Sequence, residues 1–233
     1  MSSGIGFVLF LGGVIMLGVI VPKWLQLRRA EIIRTYRWPS GLLKRLEKHH
    51  PGFERKDSAL VSRGLRQFFL AYLMSGKRHV SMPSQVADDL WHEFILYTRE
   101  YDAFCRRAFG GFLHHTPAVV LSEHRKSNEG LRRVWWYCCK YENIDPVSPT
   151  RLPLLFALDN KLKIANGFVY HPDCEDLRKN GSGGGHCGGD FADTSFDGSS
   201  DGFGDSGSGA SGDSGGDGGG GGDGGGGCGG GGD

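Results

Sequence analysis

Four side chains in the middle of the chain have the types and spacing of a metal site. Asp88 and His92 stand four residues apart, so on a helix they share one face. A carboxylate and an imidazole placed this way can ligate one divalent ion, or the carboxylate can simply orient the ring. His114 and His115 follow two glycines that allow the chain to fold back. The sequence therefore predicts a divalent metal such as Zn²⁺ on Asp88, His92 and His115.

Chain reach decides which other groups can join this set. On an unbroken helix Cys105 lies 13 residues beyond His92, about 20 Å along the axis, and cannot share its ion. A helix that ended near Arg106 would leave a linker of up to about 30 Å, long enough for His115 to return. His79 precedes the helix and is a nearer third partner. The alternative interpretation is that these histidines are structural and hold no ion.

The element that must position these groups is a helix from Pro83 to the glycines at 110 and 111. A proline suits the first turn, because its missing N–H would be unpaired there. Apolar residues recur at three- and four-residue steps, which predicts a helix buried along one face. These residues are Ala87, Leu90, Trp91, Phe94, Tyr97, Tyr101, Phe104, Cys105 and Ala108.

The rest of the body is also predicted to be helical. Amphipathic helices are expected over residues 58–75, 122–141 and 153–164, and a basic helical segment over residues 30–53. No alternating polar and apolar stretch is long enough to form a sheet. The predicted fold class is therefore all-α, with one helical globular domain over residues 29–180.

The N-terminal apolar stretch predicts a membrane anchor over residues 1–28. Residues 4–21 contain no charged or strongly polar group and span about 27 Å as a helix, close to the thickness of a bilayer core. The uncharged start favours an uncleaved span over a signal peptide, and a buried core helix is the alternative. Basic residues directly after the stretch predict an inner-membrane protein with its N-terminus out and its domain cytoplasmic. They are Lys23, Arg28, Arg29, Arg34 and Arg37.

The C-terminal tail, residues 181–233, has a different composition from the body. It holds 27 of the 40 glycines and nine aspartates, with no lysine, arginine or glutamate. The first 180 residues therefore carry 27 basic against 17 acidic residues. A Gly/Ser/Asp chain cannot bury enough apolar area to offset its ordering entropy, which predicts a disordered tail. The tail is a candidate partner-binding segment, or a substrate for modification at Cys187, Cys228 and its serines.

The stretch ADDLWHEFILYTREYDAFC followed by GGFLHH resembles the signature of the glycine-rich domain-containing protein-like family. The likeness covers residues 83–115 and is supported by the LPLLFALD run and the glycine-rich end. The resemblance implies a membrane-anchored bacterial member of a family without an established activity. The family pattern falls on Asp88, Trp91, His92, Tyr101, Cys105 and one of His114 or His115.

Two classes of function remain open at this point. The first is a membrane-anchored cytoplasmic module that acts by binding a partner, with a structural or sensing metal site. The alternative is a metal-dependent enzyme in which Asp88, His92 and His115 hold the ion and Glu93 is the general base. No nucleic-acid partner is expected, because many of the cations cluster beside the predicted span.

Overall fold

The all-α prediction is confirmed within the part of the chain that the structure describes. This computed structural model describes residues 2–115, 127–172, 186–187 and 191, without the side chains of residues 2–15, 17, 127–128 and 186–187. The sheet found there is one pair of two-residue strands. The elements are α1 (Ser2–Thr35), α2 (Leu42–His49), α3 (Arg55–Met74), α4 (Gln85–Ile95), α5 (Thr98–Phe109), α6 (Ser127–Tyr141), α7 (Leu154–Lys161), β1 (Tyr170–His171) and β2 (His186–Cys187).

Helix α3 is the centre of the core, and α1, α4, α6 and α7 pack against it. Its inward face is fully buried at Val61, Leu65, Phe68 and Phe69. Gly64 lies where α7 crosses it, and a Cβ there would come within 2.4 Å of a methyl carbon of Leu158. A larger residue at this position would therefore have to displace the end of the Leu158 side chain.

Aromatic rings join α3 to the two helices that carry the candidate site. Phe69 of α3 packs on Phe104 of α5 with the ring centroids 5.1 Å apart, and Phe68 packs on Trp91 of α4 at 5.0 Å. Phe94 of α4 meets Phe104 edge-on at 5.5 Å. These rings are almost completely buried, so the relative placement of α4 and α5 is set by a close-packed aromatic core.

The predicted single central helix is wrong, because it is two helices. Helix α4 ends at Ile95, and α5 begins at Thr98 after a turn at Leu96 and Tyr97. Leu96 in this turn is 62% exposed, so its side chain does not belong to the buried apolar face. The predicted end at the glycines is confirmed: Gly110 caps α5 in the left-handed conformation, at φ +78°. The break turns the chain back early, which shortens the return to α4.

The N-terminus of α4 is held by a buried carboxylate from α7. Asp159 is 3% exposed and accepts hydrogen bonds from the backbone N–H groups of Gln85 and Val86, at 2.7 and 3.2 Å. The hydroxyl of Ser84 and the N–H of Phe168 also donate to it, at 2.7 and 2.9 Å. A negative charge at a helix N-terminus is favourable, so this contact fixes both the start and the direction of α4.

A second carboxylate joins α3, α6 and α7. Glu142 follows α6 and accepts hydrogen bonds from the Gln67 side chain and the Leu154 N–H, each at 2.7 Å, and it pairs with Arg151. Burial acts to raise the pKa of Glu142, but the hydrogen bonds from Leu154, Arg151 and Gln67 outweigh burial and lower it. A carboxylate with a lowered folded-state pKa stabilises the fold above its unfolded pKa.

We expect this contribution to be lost as the pH falls below about 4.5, through the lowered pKa of Glu142 in the folded state. Glu142→Gln should lower the free energy of unfolding at pH 7 by about 1–2 kcal/mol and flatten its fall in acid. Urea denaturation at several pH values measures this, with the exposed Glu31→Gln as the control. An unchanged acid profile in Glu142→Gln would contradict the assignment.

The N-terminal helix is continuous from Ser2 to Thr35 and enters the core at its C-terminal end. Ala30 and Ile33 are fully buried. Among the residues whose side chains the structure describes, no helix is both long and apolar enough to cross a membrane. The predicted span over residues 4–21 falls largely outside that set, since the side chains of residues 2–15 and 17 are not described.

Three described residues belong to the predicted disordered tail, and they differ from that prediction. His186 and Cys187 form β2, which pairs in parallel with β1. Phe191 is 8% exposed, and its ring lies 5.8 Å from that of Trp135 and 6.0 Å from that of Phe156. Removal of residues 181–233 would therefore take a buried aromatic ring out of the core. The prediction for residues 192–233, including Cys228, lies outside the described residues.

Buried thiols are a feature of the core. Cys138 and Cys139 of α6 are free and at most 1% exposed, as expected for neighbours on a helix that point in different directions. Burial raises the pKa of the Cys139 thiol to about 12 and that of Cys138 well above its ordinary value. Both thiols are therefore protonated and unreactive in the folded protein at neutral pH.

Candidate metal site

Helix α4 places Asp88 and His92 on one face, as their spacing predicts. Oδ2 of Asp88 lies 3.8 Å from Nδ1 of His92. The side chain of Asp88 is 22% exposed and that of His92 is 53% exposed. The pair therefore sits at the edge of the core, where an ion from solvent could reach both groups.

His115 completes the group from the segment that follows α5. Its Nε2 lies 2.9 Å from Oδ1 of Asp88, and its ring centroid lies 4.2 Å from that of His92. The His115 side chain is 13% exposed, and its ring packs edge-on against Trp91 at 4.5 Å. One ligand atom from each of Asp88, His92 and His115 lies within 4.8 Å of the other two.

A buried hydrogen-bond chain holds this segment against α4. The indole N–H of Trp91 donates to the Tyr101 hydroxyl at 3.1 Å, and that hydroxyl donates to the carbonyl of Leu113 at 2.6 Å. Burial raises the pKa of Tyr101 far above its ordinary value, so the hydroxyl keeps its proton. The chain anchors the backbone two residues before His115 and explains why a tryptophan and a tyrosine accompany the candidate ligands.

The two neighbouring histidines differ in position. His114 is exposed, and its ring lies 4.8 Å from that of Phe112. Backbone alternation in the extended segment 112–115 turns adjacent side chains apart, so His115 alone of the two joins Asp88. The sequence left this choice between His114 and His115 open in the family pattern.

Glu93 does not face the group, so its predicted role as general base is wrong. Its Oε1 lies 2.9 Å from Nε2 of His49, and its Oε2 forms a 2.5 Å ion pair with Nε of Arg45. Both partners belong to α2. Successive residues on a helix point about 100° apart, which directs Glu93 away from the face of His92.

The face of α4 that carries Glu93 makes a second contact, with the residue directly after α2. Oδ2 of Asp89 lies 2.9 Å from Nε2 of His50, and Oδ1 accepts from the Gln85 side chain at 3.2 Å. The His50 ring stacks on Phe53 at 4.8 Å. Asp89 and Glu93 thus hold α2 on one face of α4, and Asp88 and His92 remain on the other.

Cys105 is set aside as a ligand, as the sequence predicts. It is fully buried, and burial raises the pKa of its thiol. Its thiol lies beside Tyr101 and the backbone of Leu113, where it serves as a small core residue and not as a nucleophile.

A cavity of about 280 Å³ opens beside the group. Asp88 and His115 line it, together with Lys77 and His79 from the segment after α3. Burial, and next the Arg133 guanidinium, lower the pKa of His79, so its ring is neutral at pH 7. Arg133 also donates to the carbonyl of His79. Much of the remaining wall is apolar or aromatic: Tyr72, Val80, Met82, Trp91, Phe112, Leu113 and Phe168.

The donor set fits a divalent transition metal. Two imidazoles and one carboxylate are common zinc ligands, and in a tetrahedral zinc site the donor atoms lie about 3.3 Å apart. Nε2 of His115 lies 2.9 Å from Oδ1 of Asp88 and Nδ1 of His92 lies 3.8 Å from Oδ2, so the two contacts use different carboxylate oxygens. One ligand atom from each residue lies within 4.8 Å of the other two, and the three must draw closer to share one ion.

Asp159 is the residue of greatest structural consequence that the sequence did not reveal. It lies in the LPLLFALD run and holds the start of the helix that carries Asp88 and His92. A single acid at the end of an apolar helix has no distinguishing local signal, because its partners at the start of α4 are more than 70 residues away.

A family model described as UCP032817-like matches residues 28–191 of the chain. That range contains all the helices from α2 to α7 together with the three grouped side chains. The description carries no glycine-rich or membrane attribute. No curated protein and no solved structure matches the chain.

Proposed function

Because the chain belongs to the UCP032817-like family, whose members are uncharacterised, we propose its function from the grouping of Asp88, His92 and His115. The chain is a helical module that binds one Zn²⁺ ion through these residues, and the ion acts as a sensing element. The observation that carries the proposal is the approach of their three ligand atoms to within 4.8 Å of one another. Three protein ligands leave a fourth coordination position for water or a ligand.

The surroundings support this assignment because they fix the ligands before an ion arrives. Trp91 packs against the ring of His115, and the Tyr101 hydroxyl holds the backbone of Leu113. The hydrogen bonds from the start of α4 to Asp159 hold the helix that carries Asp88 and His92. A preorganised first shell requires less reordering when the ion binds.

The test is the metal content of the full-length chain, purified in detergent without chelator and measured by elemental mass spectrometry. We expect close to one zinc per chain, lost in His92→Ala and His115→Ala, since each variant should weaken binding at least about 100-fold. His114→Ala is the matched control and should keep the metal. A folded wild-type chain without metal, or equal losses in His114→Ala and His115→Ala, would contradict the proposal.

A second candidate function, a metal-dependent enzyme, is favoured by the cavity. Structural zinc sites are closed, whereas catalytic ones keep a coordination position open to substrate, and here Asp88 and His115 line an open space. His79 lines the same cavity with a neutral ring and replaces Glu93 as the candidate base. Ester hydrolysis by the zinc-loaded chain, abolished in His79→Gln with the metal retained, would support this function. Turnover no faster than that of free zinc would exclude it.

We also propose that residues 4–21 anchor the chain in the inner membrane, with the domain cytoplasmic and the acidic tail available to a protein partner. The apolar sequence and the cations after it support the anchor. So does the outward exposure of Met16, Val19 and Ile20 on α1, at 51–63%. On this proposal the chain is a membrane-anchored, glycine-rich member of its family. Release of the chain from membranes by alkaline carbonate would contradict the anchor.

A further inference from the structure

We infer that the cavity beside Asp88 and His115 binds a small molecule with one carboxylate group. The carboxylate lies between the metal ion and the Lys77 ammonium, and the apolar body of the molecule packs against the aromatic wall. The inference rests on the proposed function, since it takes the metal on Asp88, His92 and His115 as its starting point. It adds the chemical class of the ligand.

The charge of the lining selects an anion. The described residues that line the cavity include one lysine, Lys77, and one acid, Asp88, together with three histidines, His79, His114 and His115. His79 lines the cavity too, and its lowered pKa leaves it uncharged. A divalent ion on Asp88 therefore gives the cavity a positive surplus. One metal position and one ammonium suit a carboxylate, which carries one negative charge and two acceptor oxygens.

The size and the wall define the rest of the molecule. At about 280 Å³ the cavity is near the lower limit of small-molecule sites. Rings from Tyr72, Trp91, Phe112 and Phe168 contribute to its wall. A flat apolar body of roughly ten non-hydrogen atoms would bury its surface there, and the single charged end would set its orientation.

Lys77 has hydrogen-bond donors available for a ligand. Its ammonium donates to the carbonyl of Phe109 at 3.2 Å, which uses one of three donors. Its backbone has φ +63°, a left-handed conformation that follows the end of α3 and that favours glycine or asparagine. The assignment of Lys77 rests on its place in the cavity wall and on its remaining donors.

The experiment is isothermal titration of the zinc-loaded full-length chain with benzoate and with its neutral isostere benzamide. We expect benzoate to bind at least about tenfold more tightly than benzamide. Lys77→Asn should remove most of that preference without unfolding the chain, because asparagine tolerates the left-handed backbone. Lys163→Asn is the matched control. Lys163 also has a left-handed backbone, at φ +52°, but does not line the cavity.

The outcomes separate this inference from the proposed function. Equal binding of benzoate and benzamide, or an equal loss in Lys77→Asn and Lys163→Asn, overturns the inference while the zinc content of the same samples still supports the metal site. A chain that takes up no zinc overturns the proposed function and the inference with it. A benzoate preference that requires zinc and is lost in Lys77→Asn alone supports both.

Discussion

Asp159→Ala is expected to lower the free energy of unfolding by about 4 kcal/mol, more than any other single change considered for this chain. The substitution removes a buried carboxylate that accepts from four donors, two of them the first backbone N–H groups of α4. Unpaired buried donors each cost about 1–3 kcal/mol, partly relieved by water or by local movement. Because α4 carries Asp88 and His92, zinc binding should weaken as well.

Urea denaturation followed by far-ultraviolet circular dichroism measures this effect. Asp102→Asn is the control, since Asp102 makes an exposed ion pair with Arg106 on α5 and its loss should cost under about 1 kcal/mol. Asp159→Asn keeps the shape but brings amide hydrogens toward N–H donors, so an intermediate loss is expected. A loss for Asp159→Ala no larger than that for Asp102→Asn would show that Asp159 does not hold α4.

Gly130→Ala is expected to cost about 2–3 kcal/mol although alanine is the better helix former. A Cβ at this position of α6 would lie 2.9 Å from the backbone nitrogen of Ser81 and 3.0 Å from Cδ2 of His79. The Ser81 backbone moves less readily than the end of a flexible side chain. The segment that supplies His79 to the cavity must therefore shift, and benzoate affinity should fall together with stability.

Gly111→Ala is the control for this change, since a Cβ at Gly111 would meet no atom within 4 Å. Gly64→Ala provides a comparison in a second helix, because the obstacle there is the flexible end of the Leu158 side chain. Thermal denaturation of the three variants ranks the costs. If Gly130→Ala proved as stable as Gly111→Ala, the close contact between α6 and residues 79–81 would be wrong.

Local periodicity was enough to predict most of the helices, but not the turn between α4 and α5, nor the break that divides the predicted segment over residues 30–53 into the end of α1 and α2. The apolar steps through Trp91, Phe94, Tyr101 and Phe104 continue across the turn between α4 and α5, and no glycine or proline marks it. Packing decides it: the turn lets Phe104 contact both Phe69 and Phe94. Tertiary contacts thus override a pattern that is continuous in sequence.

The grouping of the candidate ligands was predictable in part. Helical spacing places Asp88 beside His92, and the same spacing directs Glu93 away from them. The choice of His115 over His114 depends on the Tyr101 to Leu113 hydrogen bond, which joins residues on different elements. No local pattern encodes that bond.

Labelling of three buried thiols, those of Cys105, Cys138 and Cys139, can measure the fraction of molecules that have unfolded. These thiols are at most 1% exposed and protonated in the fold, whereas an accessible thiolate attacks alkylating reagents. A short pulse of iodoacetamide should label these sites in those molecules that have opened the core. Mass spectrometry of the labelled chain then gives the unfolded fraction without an added dye.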